Sequence, residues 1–324
     1  MARESAGSLP ESSSLWLHRF AVFTAFSTLF LIFAGGLVTS TESGLAVPDW
    51  PLSYGMFFPP MVGGIFYEHG HRMVAAFVGL LTFTLTIWVF LKERRIWLRR
   101  LTLVALGAVI LQAILGGLTV LYLLPTPISI AHAALAQTFF CMTVALALFT
   151  SPNWTRSVPL PRNYKRSPSL SWLCALTTGM VYSQLMLGAL MRHTKAGLAI
   201  PDFPLAFGRI IPRFDSSAIL IHFAHRVGAI MVTMMVVWTV YRIISTYRSQ
   251  TRLLRPAIIL AFLLVIQLML GAMTIWSGKA IMITTFHVVT GAAILGTSFL
   301  LTLFAFVMTS SQFQTYIHPA NKAV

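Results

Sequence analysis

Long apolar runs dominate the chain, and short polar stretches separate them. Eight runs, near residues 19–39, 69–91, 101–124, 128–150, 169–191, 217–241, 254–276 and 281–308, are long enough to span a bilayer as helices. A hydrocarbon core of about 30 Å takes about 20 apolar residues per helix. The runs are too long and too continuously apolar for the alternating strands of a membrane barrel. The pattern predicts an all-α polytopic membrane protein with eight transmembrane helices.

The pattern also repeats. Residues 35–59 read GGLVTSTESGLAVPDWPLSYGMFFP and residues 188–212 read GALMRHTKAGLAIPDFPLAFGRIIP. Gln112-x-x-x-Gly116 matches Gln267-x-x-x-Gly271, His132 matches His287, and His71-Arg72 matches His225-Arg226, all at nearly constant offset. Each unit holds four runs, so both copies insert in the same sense, as tandem four-helix bundles related by a pseudo-two-fold along the membrane normal. The expected organisation is an N-terminal segment 1–18, a first half 19–150, a linker 151–168, a second half 169–308 and a tail 309–324. A weaker echo lies inside each half. Runs 1, 3, 5 and 7 end in Gly35-Gly36, Gly116-Gly117, Gly188-Ala189 and Gly271-Ala272. Such small pairs admit either a neighbouring helix or a flat cofactor.

Charge changes the picture in one respect. Charged residues are 10% of the chain, against about 25% in soluble domains, yet the formal net charge is +15. Nucleic-acid binding would be the plain reading of that value, but the basic residues sit in alternate loops. Lys92, Arg94, Arg95, Arg99 and Arg100 lie between runs 2 and 3, Arg156, Arg162, Lys165 and Arg166 between runs 4 and 5, and Arg242, Arg248, Arg252 and Arg255 between runs 6 and 7. The positive-inside rule then puts both termini in the cytoplasm. Residues 192–216 dissent, with Arg192, Lys195, Arg209 and Arg213 on the outer side; that excess could serve an anionic ligand. The polar first 18 residues predict no cleaved signal, which favours a bacterial plasma membrane. Cys141 and Cys174 lie inside predicted helices and form no CxxC or CxxCH pattern, so neither a disulfide nor covalent cofactor attachment is expected.

Chemistry is concentrated in histidine. Of the nine, His18 and His318 lie near the chain ends, where solvation is expected, and His193 lies in an outer loop. The others cluster at the starts of the even runs: His69 and His71, His132, His222 and His225, and His287. Ionisable groups inside a membrane are costly and are functional candidates by default. His71 and His132 form one repeat-matched pair, and His225 and His287 form the other. Zinc would want a third or fourth protein ligand, and copper also takes imidazole. Two histidines per unit among apolar walls suit a haem, whose porphyrin supplies the remaining donors. Arg72 and Arg226, each one residue past a ligand, could pair with haem propionates or simply snorkel to the interface.

One acid breaks the symmetry. Glu68 precedes His71 by three residues, about 4.5 Å along a helix, whereas its repeat counterpart is His222. The carboxylate suggests that the first half does chemistry and the second holds a resident electron-transfer cofactor. The bland alternative is an ion pair with Arg72 or an interfacial anchor. The loops carrying Asp49 and Asp202 within P-D-[WF]-P-L read as rigid caps over the sites.

GGLVTSTESGLAVPDWPLSYG, EHGHRM, IHFAHRVG and the single histidines of runs 4 and 8 resemble the haem A synthase family, the membrane enzymes related to mitochondrial cytochrome oxidase assembly protein fifteen. The resemblance covers roughly residues 19–308. It implies oxidation of the C8 methyl group of haem O to a formyl group, through two hydroxylations and loss of water. It further implies haem b on His225 and His287, substrate haem O on His71 and His132, and Glu68 as the catalytic carboxylate. Lipid surrounds such a protein, and the haem O synthase and an electron carrier are possible partners; nucleic acid is not. Many family members carry a cysteine pair where Val47 and Ser53 stand here, so no redox role of that pair operates in this chain. The rivals are a di-haem cytochrome exchanging electrons with quinone and a non-enzymatic haem carrier.

Overall fold

The computed structural model describes residues 15–152, 154 and 167–309. Eight helices account for most of them: α1 Leu15–Ser40, α2 Gly63–Lys92, α3 Ile96–Leu121, α4 Thr126–Phe149, α5 Leu170–His193, α6 Ser217–Thr246, α7 Thr251–Trp276 and α8 Ile281–Thr309. All eight are long and apolar enough to cross a membrane, and the only strand-like pairings among the described residues are two isolated bridges. The chain is an all-α, multi-pass membrane protein. The expected N-terminal segment, linker and tail fall largely outside the described residues.

The helices outrun the apolar runs that predict them. α2 begins at Gly63 rather than near residue 69, and α6 ends at Thr246 rather than near 241. Hydropathy marks only the part that sits in hydrocarbon, whereas backbone hydrogen bonding continues into the polar flanks. His71 and His225 consequently lie in the third turns of their helices.

Lipid cannot satisfy backbone or side-chain polar groups, so hydroxyls inside the helices turn to protein acceptors, with Ser129 Oγ an exception among the described residues. Thr24, Thr28, Thr82 and Thr177 each donate to the carbonyl four residues earlier. Thr177 also meets Thr239 at 2.7 Å, tying α5 to α6, and Thr178 meets Thr302 at 2.9 Å, tying α5 to α8. Large apolar side chains such as Phe26, Ile230 and Phe262 face outward, as a lipid-facing surface requires.

Within the first half, α1 packs on α2 and α4, and α3 on α2 and α4. In the second, α5 packs on α6 and α8, and α7 on α6 and α8. Each half buries its own core: Leu17, Val78, Leu85, Leu98, Phe139 and Leu146 in one, and Val236, Ile243, Leu260 and Leu295 in the other. The free thiol of Cys174 is buried in the second core, and Cys141 packs at its edge. The halves meet where α1 and α4 lie against α8 and where α4 lies against α5. His18 is not simply solvated, because its Nδ1 bonds to the carbonyl of Ala147 at 2.9 Å and ties α1 to α4.

The α1–α2 loop is fastened by an aromatic ring on a glycine. A Cβ at Gly117 of α3 would lie only 2.6 Å from Trp50 Cδ2, so this position tolerates no side chain while Trp50 stays in place. The repeat-matched residues are Ala272 and the smaller Phe203. Gly117→Ala should therefore cost roughly 1–3 kcal/mol through overpacking, and adding Trp50→Phe should recover most of it. A double-mutant cycle read by thermal unfolding in detergent checks this; purely additive effects would contradict it.

Candidate functional site

Each of the four candidate histidines stands against a glycine of the preceding helix. His71 faces Gly35, His132 faces Gly116, His225 faces Gly188 and His287 faces Gly271. A Cβ on those glycines would lie 3.1, 3.1, 3.2 and 3.2 Å from the imidazole Cε1, inside ordinary van der Waals contact. The small residues closing the odd helices thus make room for histidine rings. Glycine has no side chain to lose here, so the ring reaches the helix backbone directly.

The rings are short of partners. Nδ1 of His71, His132 and His287 is buried with no hydrogen-bond partner among the described residues, although buried polar atoms are nearly always paired. The repeat predicts the pairs His71 with His132 and His225 with His287, one pair in each half. His71 lies on α2 and His132 on α4, and α1 packs against both; His225 lies on α6 and His287 on α8, and α5 packs against both. Among the described residues, no three His, Cys, Asp or Glu side chains gather as a bare metal ion would need. Pairs of imidazoles with unpartnered nitrogens, in glycine-floored sites, fit a haem, which brings its own four equatorial donors.

Glutamines hold three of the four histidine helices. Gln112 donates to the carbonyl of His132 at 3.0 Å and Gln184 to the carbonyl of His225 at 2.8 Å; Gln184 also lies 3.1 Å from His225 Nδ1. Gln267 lies 3.4 Å from His287 Nε2. Gln184 is a residue that the sequence reading passes over, yet its spacing to Gly188 is the Gln-x-x-x-Gly already seen twice. The fourth odd helix has Leu31 at this position, so His71 has no such clamp.

The two capping loops are built alike. Asp49 accepts from the amides of Tyr54 and Gly55 at 2.7 and 2.8 Å, and Asp202 accepts from Phe207 and Gly208 at the same distances. Tyr54 and Phe207 adopt positive φ beside their glycines, which the carboxylate's bonds to both amides help to hold. Arg72 reaches from α2 to the carbonyls of Asp49 and Leu52, both at 2.8 Å, and to Val47 at 3.4 Å. Arg226 reaches the matching carbonyls of Asp202, Leu205 and Ile200 at 2.6, 2.7 and 3.2 Å. Both guanidinium groups brace their loops, and Arg226 Nε remains buried without a partner.

Glu68 sits inside this brace. It is 4% exposed; its Oε1 accepts from Arg72 at 2.7 Å and its Oε2 from the amide of Val47 at 2.8 Å. His222, 2% exposed, does the matching job, its Nδ1 accepting from the amide of Ile200 at 3.2 Å. The ion pair that sequence offers as the bland reading is therefore present, and anchoring the loop is common to both halves. What differs is charge: only the first half has a carboxylate there. His69 adds a second difference, bonding Ser53 Oγ at 2.8 Å while its Nε2 is buried and unpartnered.

A family model described as cytochrome oxidase assembly protein matches residues 62–299. Proteins called heme A synthase are similar over most of their length. The one from Bacillus pumilus is 28% identical over 274 residues, 82% of this chain and 87% of that protein. The Shouchella clausii protein is 30% identical over 260 residues, covering 77% and 83%, and that of Symbiobacterium thermophilum is 31% identical over 224 residues, covering 66% and 72%.

The amides of Gly55 and Tyr54 hold the Asp49 carboxyl below its ordinary value of 3.8, and those of Gly208 and Phe207 do the same for Asp202. A lowered value in the folded state means that this anchoring is complete above pH 3.8 and is lost as pH falls through the lower folded value. Hydrogen exchange should accordingly find the amides of residues 54, 55, 207 and 208 protected at neutral pH. Asp49→Ala should expose 54 and 55 alone; unchanged protection there would count against the anchor.

Proposed function

The chain belongs to the cytochrome oxidase assembly protein family, and from that premise we propose that it is a haem A synthase, an oxidoreductase that converts the C8 methyl group of haem O to the formyl group of haem A for cytochrome oxidase. The first half, residues 19–150, takes the haem O substrate on His71 and His132. The second half, residues 169–308, keeps a haem b cofactor on His225 and His287. Haem b, when bound, supplies one-electron chemistry. The protein sits in the bacterial inner membrane with both termini cytoplasmic and both haem sites near the outer face. Haem O synthase as a source of substrate, and a separate electron carrier, complete the expected set of partners.

The observation that carries this division of labour is the Glu68/His222 exchange. The two residues make the same bond to their loops, so loop architecture does not demand a carboxylate in the first half. A carboxylate in place of a neutral ring gives that half a group able to accept protons as a methyl group is oxidised. Each carboxylate oxygen makes one hydrogen bond and keeps a second lone pair, so the brace with Arg72 and Val47 does not exhaust it. Arg72 orients that carboxylate, and the unpartnered Nε–H of Arg226 is available to a propionate. The glutamine clamps point the same way. Both histidine helices of the second half are clamped, by Gln184 and Gln267, which suits a resident cofactor. His71 has Leu31 in place of a clamp, which suits a ligand for a molecule that must come and go.

Conversion of supplied haem O, with product separated by chromatography, tests the reading. Glu68→Gln should keep both haems and lower turnover by roughly 10²–10⁴-fold. Glu68→His copies the second half and preserves the loop bond, and it should fail equally. Full turnover in Glu68→His would reduce Glu68 to a loop anchor. His225→Ala should lose the resident haem, whereas His71→Ala should retain it and abolish conversion; loss of both haems from either single variant would contradict two separate sites.

A further inference from the structure

The most strongly basic outer loop begins with a cation that neither the repeat nor the loop braces explain. Arg192 is in the last turn of α5, in the second half, yet it reaches across to α1 of the first. Its Nη2 donates to the carbonyl of Gly36 at 3.2 Å and to Ser40 Oγ at 2.6 Å. Thr285 of α8 donates to the same Ser40 oxygen at 3.0 Å, and the Thr285 methyl packs on Gly36. The guanidinium therefore sits at the seam where α1, α5 and α8 meet.

Its contacts are all neutral. Among the described residues the ion pairs are Arg72 with Glu68 and Arg95 with Glu93, so Arg192 is a half-buried cation with no anion beside it. A partly desolvated charge is normally paired. The repeat-matched residue in the first half is Thr39, which merely bonds its own helix at the carbonyl of Gly35. The charge is thus a feature of the second half alone. Thr285, which shares Ser40 with it, precedes His287 by two residues, and Gly188, one turn before Arg192, faces His225. A guanidinium has five N–H donors in a planar fork matched to a carboxylate. Here Nη2 alone is engaged, so the rest of the fork is left for a ligand.

We propose that Arg192 is a carboxylate-binding residue at the seam between the halves, and that its ligand is a propionate of the haem held by His225 and His287. The inference rests on the reading that the second half keeps haem b. One propionate of that haem would then be fastened through Arg192 to Ser40 and Gly36 of the first half. Occupancy of the cofactor site and the packing of the two halves are coupled through this one side chain.

Binding of haem b and of haem b dimethyl ester to the haem-depleted full chain, followed by Soret absorbance, tests it. Wild type should prefer haem b by roughly tenfold or more, as a charge-assisted pair implies, and Arg192→Gln should lose most of that preference. The midpoint potential of bound haem b should fall in Arg192→Gln, because removing a nearby cation favours the more positive ferric state. Arg192→Lys should keep the potential close to wild type but lose part of the preference, since it retains charge without the fork. If the Gln variant does not fold, the partial loss in Arg192→Lys carries the test. A folded variant with undiminished preference and unchanged potential overturns the proposal. Failure of wild type to bind haem b at all would instead overturn the assignment of the second half.

Discussion

The structure depends on one recurring contact, an imidazole pressed against a glycine of the preceding helix, with its nitrogens left short of partners. In a lipid-embedded bundle an unpartnered buried nitrogen is destabilising, commonly by about 1–3 kcal/mol. Three of the four histidines carry that burden at Nδ1. A bundle built only for packing would place leucine or alanine in these positions. The pattern makes sense when the nitrogens are meant for iron, and the glycines then keep the rings and the backbone close enough to leave room for a flat macrocycle.

Everything around that contact serves to hold it. The capping loops are fixed from below by Arg72 and Arg226, which bind three loop carbonyls each, and from within by Asp49 and Asp202. Because α2 and α6 supply both the arginine and the adjacent histidine, loop position and ring position are mechanically linked. The same scaffold serves both halves. Function is therefore sought where the halves differ: Glu68 against His222, Ser53 and His69 against Ala206 and Phe223, Leu31 against Gln184, and Thr39 against Arg192. These differences all involve charge or hydrogen bonding.

Much of this was legible in the sequence because the signals are physical and long. Twenty-residue apolar runs admit one interpretation in a membrane, and histidines repeated at a fixed offset are hard to explain by packing. The helix ends were less legible, since hydropathy ceases to report once a helix leaves hydrocarbon. Partnership was the least legible. Arg72 and Arg226 read as propionate partners by position, whereas most of their donors turn to loop carbonyls, and backbone carbonyls leave no trace in residue identity. Gln184 is marked only by its spacing to Gly188, because its repeat counterpart is Leu31 and no matched glutamine signals it. The pairing of Arg192 with α1 could not be read at all, because it joins residues from different halves.

The central claim is that the two histidine pairs hold chemically different haems. It is tested most directly by purifying the chain from cells that also make haem O, extracting the bound haems and separating them by chromatography. The account predicts haem b together with haem O, haem A or a hydroxylated intermediate between them. Haem b alone, at two equivalents per chain, would contradict it and leave a di-haem cytochrome in its place.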